Sequence, residues 1–145
     1  MKRQNALRRT TMNYFLITIR SSQENAIFTT KADYQHCLRM ISRLKDEYRF
    51  DIRGYCFMPD YFKLVVGLNP SDLDLASEIF YLDDQIPAWK KIVKIFPVRV
   101  LIKGQCIRIA DRRRLVNVIN YIEYEPVRAG IVDSVGQYRC SSAYC

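Results

Sequence analysis

A chain of 145 residues, 49% apolar, with only five Gly and five Pro, makes one domain with a real core and not a disordered tail. Its charge is lopsided, 23 Lys and Arg against 15 Asp and Glu, formally +8. That excess favours a polyanionic partner, usually nucleic acid, and no apolar run is long enough to span a membrane.

Lys2, Arg3, Arg8 and Arg9 make residues 1–11 a basic arm, expected to be flexible and to add non-specific affinity for nucleic acid. The apolar stretch after it is short and interrupted by Asn13 and Thr18. It reads as a strand, not as a signal peptide. Residues 12–20 alternate, with Phe15, Ile17 and Ile19 on one face and Tyr14, Leu16, Thr18 and Arg20 on the other. A loop at 21–25 follows, and then Thr29-Thr30-Lys31-Ala32-Asp33 opens a helix with a threonine cap. Tyr34, Cys37, Leu38, Ile41, Leu44 and Tyr48 keep helical spacing, so the helix runs over 31–48 and turns His36, Arg39 and Arg43 outward.

The second strand is expected at 51–58, with Ile52, Cys56 and Met58 on one side. Pro59-Asp60 turns the chain into a third strand at 61–68. There Phe62, Leu64, Val66 and Leu68 share one face, while Tyr61, Lys63 and Val65 point the other way. Asn69 to Asp72 caps a short helix reaching about Tyr81. A loop at 83–87, a helical turn at 88–95 around Trp89, and a long strand at 97–109 follow. The last helix spans 112–124, with Leu115, Val118, Ile119 and Ile122 inward. This order predicts an α/β (α+β) fold of ferredoxin-like, split βαβ type. Its antiparallel sheet has helices on one face and an open second face. No repeat or linker divides the chain, so 12–145 is one domain.

The five cysteines, at 37, 56, 106, 140 and 145, are odd in number and nowhere spaced CxxC. Reduced, mostly buried thiols in a cytoplasmic protein fit this pattern, and one histidine, His36, with scattered cysteines offers no zinc ligand set.

Several segments together resemble one family. They are Tyr55-Cys56-Phe57-Met58-Pro59-Asp60-Tyr61-Phe62-Lys63-Leu64, a helix ending at Tyr121-Ile122, the run Pro126-Val127-Arg128-Ala129-Gly130-Ile131-Val132, and the tail Tyr138-x-x-Ser141-Ser142. In order and spacing they resemble the single-tyrosine HUH transposases, especially the REP-associated tyrosine transposases. The family's first stretch reads Met-Pro-Asn-His-x-His-Leu. Its two histidines hold Mg²⁺ or Mn²⁺, and a tyrosine on the later helix attacks the polarised phosphodiester and becomes linked to DNA. Here Tyr61 and Lys63 stand at the histidine places. Counting back from Glu125-Pro126, the nucleophile place falls at Arg114 or Leu115. The family asparagines have become Asp60 and Glu125. A neutral phenol is a poor metal ligand, and an ammonium repels a cation.

The resemblance therefore implies a transposase frame without its chemistry: no metal, no catalytic residues, and a binding role for hairpin or single-stranded DNA or structured RNA. In that reading Lys63 neutralises a phosphate in place of the metal, and Tyr61 stacks on a base. Arg112, Arg113 and Arg114 open the last helix against its dipole, which a bound phosphate would explain. Tyr121 is expected to pack the helix end. The family also implies a homodimer. Two rival readings remain at this level. One is an active nuclease using Tyr61, Tyr121 or Tyr124 with Mg²⁺ or Mn²⁺ in an atypical site. The other is a scaffold subunit of a larger nucleic-acid-processing complex, for which Leu16 and Val65 on the exposed sheet face leave room.

Overall fold

The computed structural model describes residues 12–21, 28, 30–69 and 102–144. The basic arm with Lys2, Arg3, Arg8 and Arg9 lies outside these residues. So do the helix expected up to 81, the loop at 83–87, the turn at 88–95 and the start of the strand expected at 97–109. Four strands form the sheet: β1 (Asn13–Ser21), β2 (Asp51–Phe57), β3 (Tyr61–Leu68) and β4 (Ile102–Ile109). Their order is β2-β3-β1-β4, with every neighbouring pair antiparallel. That is the expected ferredoxin-like order, in which β3 fits between β1 and β2.

Helix α1 (Lys31–Tyr48) starts where the sequence places it. The Thr30 hydroxyl accepts from the Asp33 amide at 3.2 Å, and the Asp33 carboxylate accepts from the Thr30 amide at 3.0 Å. This reciprocal box satisfies two amides that the first helical turn cannot. The helix stops at Arg49, which turns left-handed at φ 57°. Its inner side, with Cys37 and Ile41, packs on Ile17, Ile19, Phe57, Phe62, Leu64, Val66 and Leu68. Phe28, Phe57 and Phe62 stack and tilt against one another there, with ring centroids 5.1–6.2 Å apart. Period-2 alternation along β1 and β3 delivers these side chains to one face.

The second face is not open. Helix α2 (Arg112–Glu123) lies across it, joined at Tyr124 to a single turn, α3 (Glu125–Arg128). Leu115 and Ile122 are buried there with Tyr14, Cys56, Met58, Val65 and Ile109, and Val118, Ile119 and Leu16 pack at the margin. The apolar stripe on α2 was read correctly, and it is this stripe that needs a covered face. Gly54 lets the helix come close: a Cβ on that residue would lie 3.1 Å from the Ile119 side chain.

β2 also departs from the expected alternation. Its pairing with β3 slips between Ile52 and Gly54, leaving Arg53 as an extra residue. Ile52 therefore joins the α1 core, while Cys56 and Met58 face α2. A bulge inverts the side-chain alternation beyond it.

The tail closes the outer edge of β2. The Phe57 amide donates to the Cys140 carbonyl at 2.8 Å, and the Ser142 amide donates to the Tyr55 carbonyl at 3.0 Å. The Ser142 hydroxyl accepts from the Tyr55 amide at 3.0 Å and donates to the Glu123 carboxylate at 2.6 Å. Tyr138 donates its hydroxyl to the Phe57 carbonyl. The Tyr-x-x-Ser-Ser tail thus serves as a clasp on an edge that would otherwise expose unpaired amides. Cys37, Cys56, Cys106 and Cys140 are free thiols. Burial pushes those of Cys37, Cys56 and Cys106 up to about 12, which keeps them protonated at neutral pH. Among the described residues no helix is long and apolar enough to cross a membrane.

Candidate nucleic-acid interface

The sequence marks Tyr61 and Lys63 as neighbours on the face away from Phe62, and the structure places them there, under the end of α2. Lys63 pairs across the sheet with Thr18 on β1 and Cys56 on β2, and Tyr61 pairs with Arg20. The Arg20 guanidinium sits over the Tyr61 ring, 4.9 Å from its centroid.

Both side chains converge on Glu125, the first residue of α3. The Lys63 ammonium donates to Oε1 of Glu125, and the Tyr61 hydroxyl donates to Oε2. The Arg128 guanidinium adds a third approach, 3.6 Å from Oε1. Glu125 is 5% exposed and the Lys63 side chain 13%. A charge buried this far needs a partner, and here each oxygen of the carboxylate has one. Burial, and next the hydrogen bond and charge of Glu125, hold the Tyr61 phenol well above its ordinary range. Tyr61 is therefore a neutral donor at physiological pH.

This network was not foreseen. Lys63 was expected to neutralise a phosphate, but its charge already meets Glu125. Tyr61 was expected to stack on a base, but its hydroxyl is tied to the carboxylate and its ring is only partly exposed. One signal was available: a lysine on a covered sheet face requires a counter-charge, and Glu125 stands where the family has a neutral asparagine.

Beside the network lies a cleft of about 600 Å³ between the sheet and α2. Leu16 and Lys63 line it from the sheet, and Asp111, Arg113, Arg114, Asn117, Val118 and Tyr121 from the helix. Lys63, Arg113 and Arg114 are thus brought together as expected. Arg112 is not: it borders two other cavities, with Tyr14, Arg108, Arg53 and Asp51. Of the two positions at which the resemblance implies the nucleophile, Arg114 faces the cleft and Leu115 is buried in the core. The α2 N-terminus is capped by Asp111, whose carboxylate accepts from the Arg114 amide at 2.8 Å. That carboxylate also eases the cost of arginines in the first turn.

Tyr121, expected to pack the helix end, is 58% exposed instead. Arg128 stacks on it with Cζ 3.8 Å from the ring centroid, and donates from Nη2 to the Tyr121 carbonyl at 3.0 Å. The Lys63 ammonium lies 5.8 Å from the same ring. His36 lies partly buried on α1, and Arg39 and Arg43 are exposed there, on the helix that covers the other face.

With this geometry, the fold is similar to that of a REP-associated tyrosine transposase solved bound to a REP hairpin. The TM-score is 0.69 at 17% identity, over 90% of this chain and 76% of that one. No family model and no curated protein matches the sequence. The chain thus has a transposase-like α/β fold.

A divalent cation, which that fold family implies, does not suit the donors here. At the two places where the resemblance puts the ligands, Lys63 carries a positive charge and Tyr61 is a neutral phenol, and both oxygens of Glu125 are engaged. Among the described residues no three His, Cys, Asp or Glu side chains gather into a set able to hold a metal.

Proposed function

We propose that this protein is a transposase-derived nucleic-acid binder that holds hairpin or single-stranded DNA or RNA without cutting it. The observation that carries this reading is the ion pair between Lys63 and Glu125, at the place of a metal ligand, beside a cleft lined by Arg113 and Arg114. A closed lysine–carboxylate pair does not polarise a phosphodiester. Exposed arginines at a cleft do attract one. The net charge of +8 and the likeness to a transposase bound to a hairpin support the same reading.

Catalytic silence has three supports. The ligand places hold Tyr61 and Lys63, the cleft-facing nucleophile place holds Arg114, and Tyr61 stays a neutral phenol. The test combines binding and cutting. Hairpin and single-stranded substrates are incubated with the protein and Mg²⁺ or Mn²⁺, and binding is titrated across salt. The expected result is salt-sensitive binding with no nick and no covalent adduct. A tyrosine-linked product overturns silence; absence of salt-sensitive binding overturns the binder and favours a scaffold role. Restoring chemistry should need Tyr61→His, Lys63→His, Arg114→Tyr and Glu125→Asn together, because residues acting as one unit do not contribute additively.

A further inference from the structure

The outward side of α2 continues beyond the cleft. A second cavity of about 490 Å³ is lined by Asn117, Asn120, Tyr121, Glu123, Tyr124, Arg128 and Val135. It shares Asn117 and Tyr121 with the cleft of about 600 Å³ that holds Arg113 and Arg114. The two make one groove along the helix. Arg114, Asn117 and Tyr121 follow helical spacing on one stripe of α2, Tyr124 continues it at the helix end, and Arg128 of α3 joins it by its contacts with both rings. From Arg114 to Tyr124 that stripe is about 15 Å long at the helical rise.

Its chemistry alternates cation, amide, aromatic, aromatic, cation. Tyr121 and Tyr124 are 58% and 46% exposed, two neighbouring rings on the same groove. Arg128 lies over both rings, 3.8 Å from the Tyr121 centroid and 5.7 Å from that of Tyr124. Its hydrogen bond to the Tyr121 carbonyl holds the stack in place before any ligand arrives. A fixed ring loses little freedom when a base stacks on it. Glu123, the acid in the second cavity, accepts the Ser142 hydroxyl.

We propose that this stripe is a single-strand track, on which unpaired bases of DNA or RNA stack on Tyr121 and Tyr124 while Arg114 and Arg128 take the flanking phosphates. The proposal rests on the nucleic-acid-binding reading and adds the path that a single strand takes across the surface. Base-paired nucleic acid offers no free base faces for these rings except at its ends, so the track discriminates strand state and not sequence. Its length suits the low end of single-strand sites, about four nucleotides.

The test measures fluorescence anisotropy of a dT12 strand, a U12 strand and a blunt duplex hairpin with the full chain. The variants are Tyr121→Ala, Tyr124→Ala, the double variant, and Tyr121→Phe. Each tyrosine-to-alanine change should weaken single-strand binding roughly tenfold, with hairpin binding held within about twofold because its stem contacts are phosphate contacts. Tyr121→Phe should bind as the wild type, since the ring stacks and the hydroxyl is not needed. Equal binding of dT12 and U12 assigns the stacking to bases of either sugar; a preference assigns the track to one nucleic acid. The track is overturned if the double variant binds single strands like the wild type, or loses hairpin and single strand in equal measure. In the first case hairpin binding by the wild type still upholds the wider reading. If the wild type binds none of the three ligands at low salt, both proposals fall.

Discussion

The two faces of the sheet solve different problems with the same strands. Toward α1, β3 contributes Phe62, Leu64 and Val66, all buried among aromatic and aliphatic neighbours. Toward α2, the same strand contributes Tyr61, Lys63 and Val65, and a carboxylate closes the charge. One face excludes water with apolar area alone. The other tolerates an ion pair because every polar end has a partner, and among the described residues no buried side-chain N or O is left without one. The lesson is a division of labour: stability sits on the α1 side, and the α2 side is free to carry chemistry or binding at its rim.

Four measurements would break or sharpen this comparison. The largest effect is expected on the α1 face. Phe62→Ala removes a fully buried ring and should cost about 3–5 kcal/mol in urea unfolding; a cost under about 1 kcal/mol would show that this face is not the main core. Next comes the ion pair. Lys63→Ala strands the Glu125 carboxylate and should cost about 3 kcal/mol, the low end for a broken buried pair, because Arg128 stands 3.6 Å away. The paired change Lys63→Met with Glu125→Leu should recover most of that loss. If the double variant is no better than the single one, the pair is not the reason Lys63 matters.

Smaller again is the helix contact. Gly54→Ala should press on Ile119 and cost about 1–3 kcal/mol, with α2 amides exchanging faster while α1 amides keep their protection. Uniform acceleration would mean that the two faces unfold as one. The smallest stability effect belongs to the rim. Arg113→Ala should change unfolding by under about 0.5 kcal/mol yet flatten the log–log salt dependence of binding by about one. An unchanged slope would remove Arg113 from the phosphate contacts.

Much of the frame could be read from local pattern. The threonine cap, the α1 stripe, the alternation of β3 and the inward residues of α2 all depend on neighbours a few residues apart. Local periods carry that information directly. Ile52 was misassigned because one extra residue, Arg53, inverts everything before it. Gly54 was the available hint, since a glycine inside a strand often marks a bulge or a close approach. The second face is covered and not open because the four inward residues of the last helix need a surface to cover. No local period points to the partner of Lys63, which stands 62 residues away in the chain; only the acid at 125 hints at it. Tyr121 was misread because an aromatic near a helix end usually packs, and here a guanidinium stacks on it in place of a core.

The knot of Lys63, Glu125 and Tyr61 also constrains inheritance. A single replacement that removes the charge at 63 or 125 strands its partner in a covered site, so it must be tolerated at a loss before a second replacement can repair it. Neutral drift at these positions is therefore slow and moves in pairs.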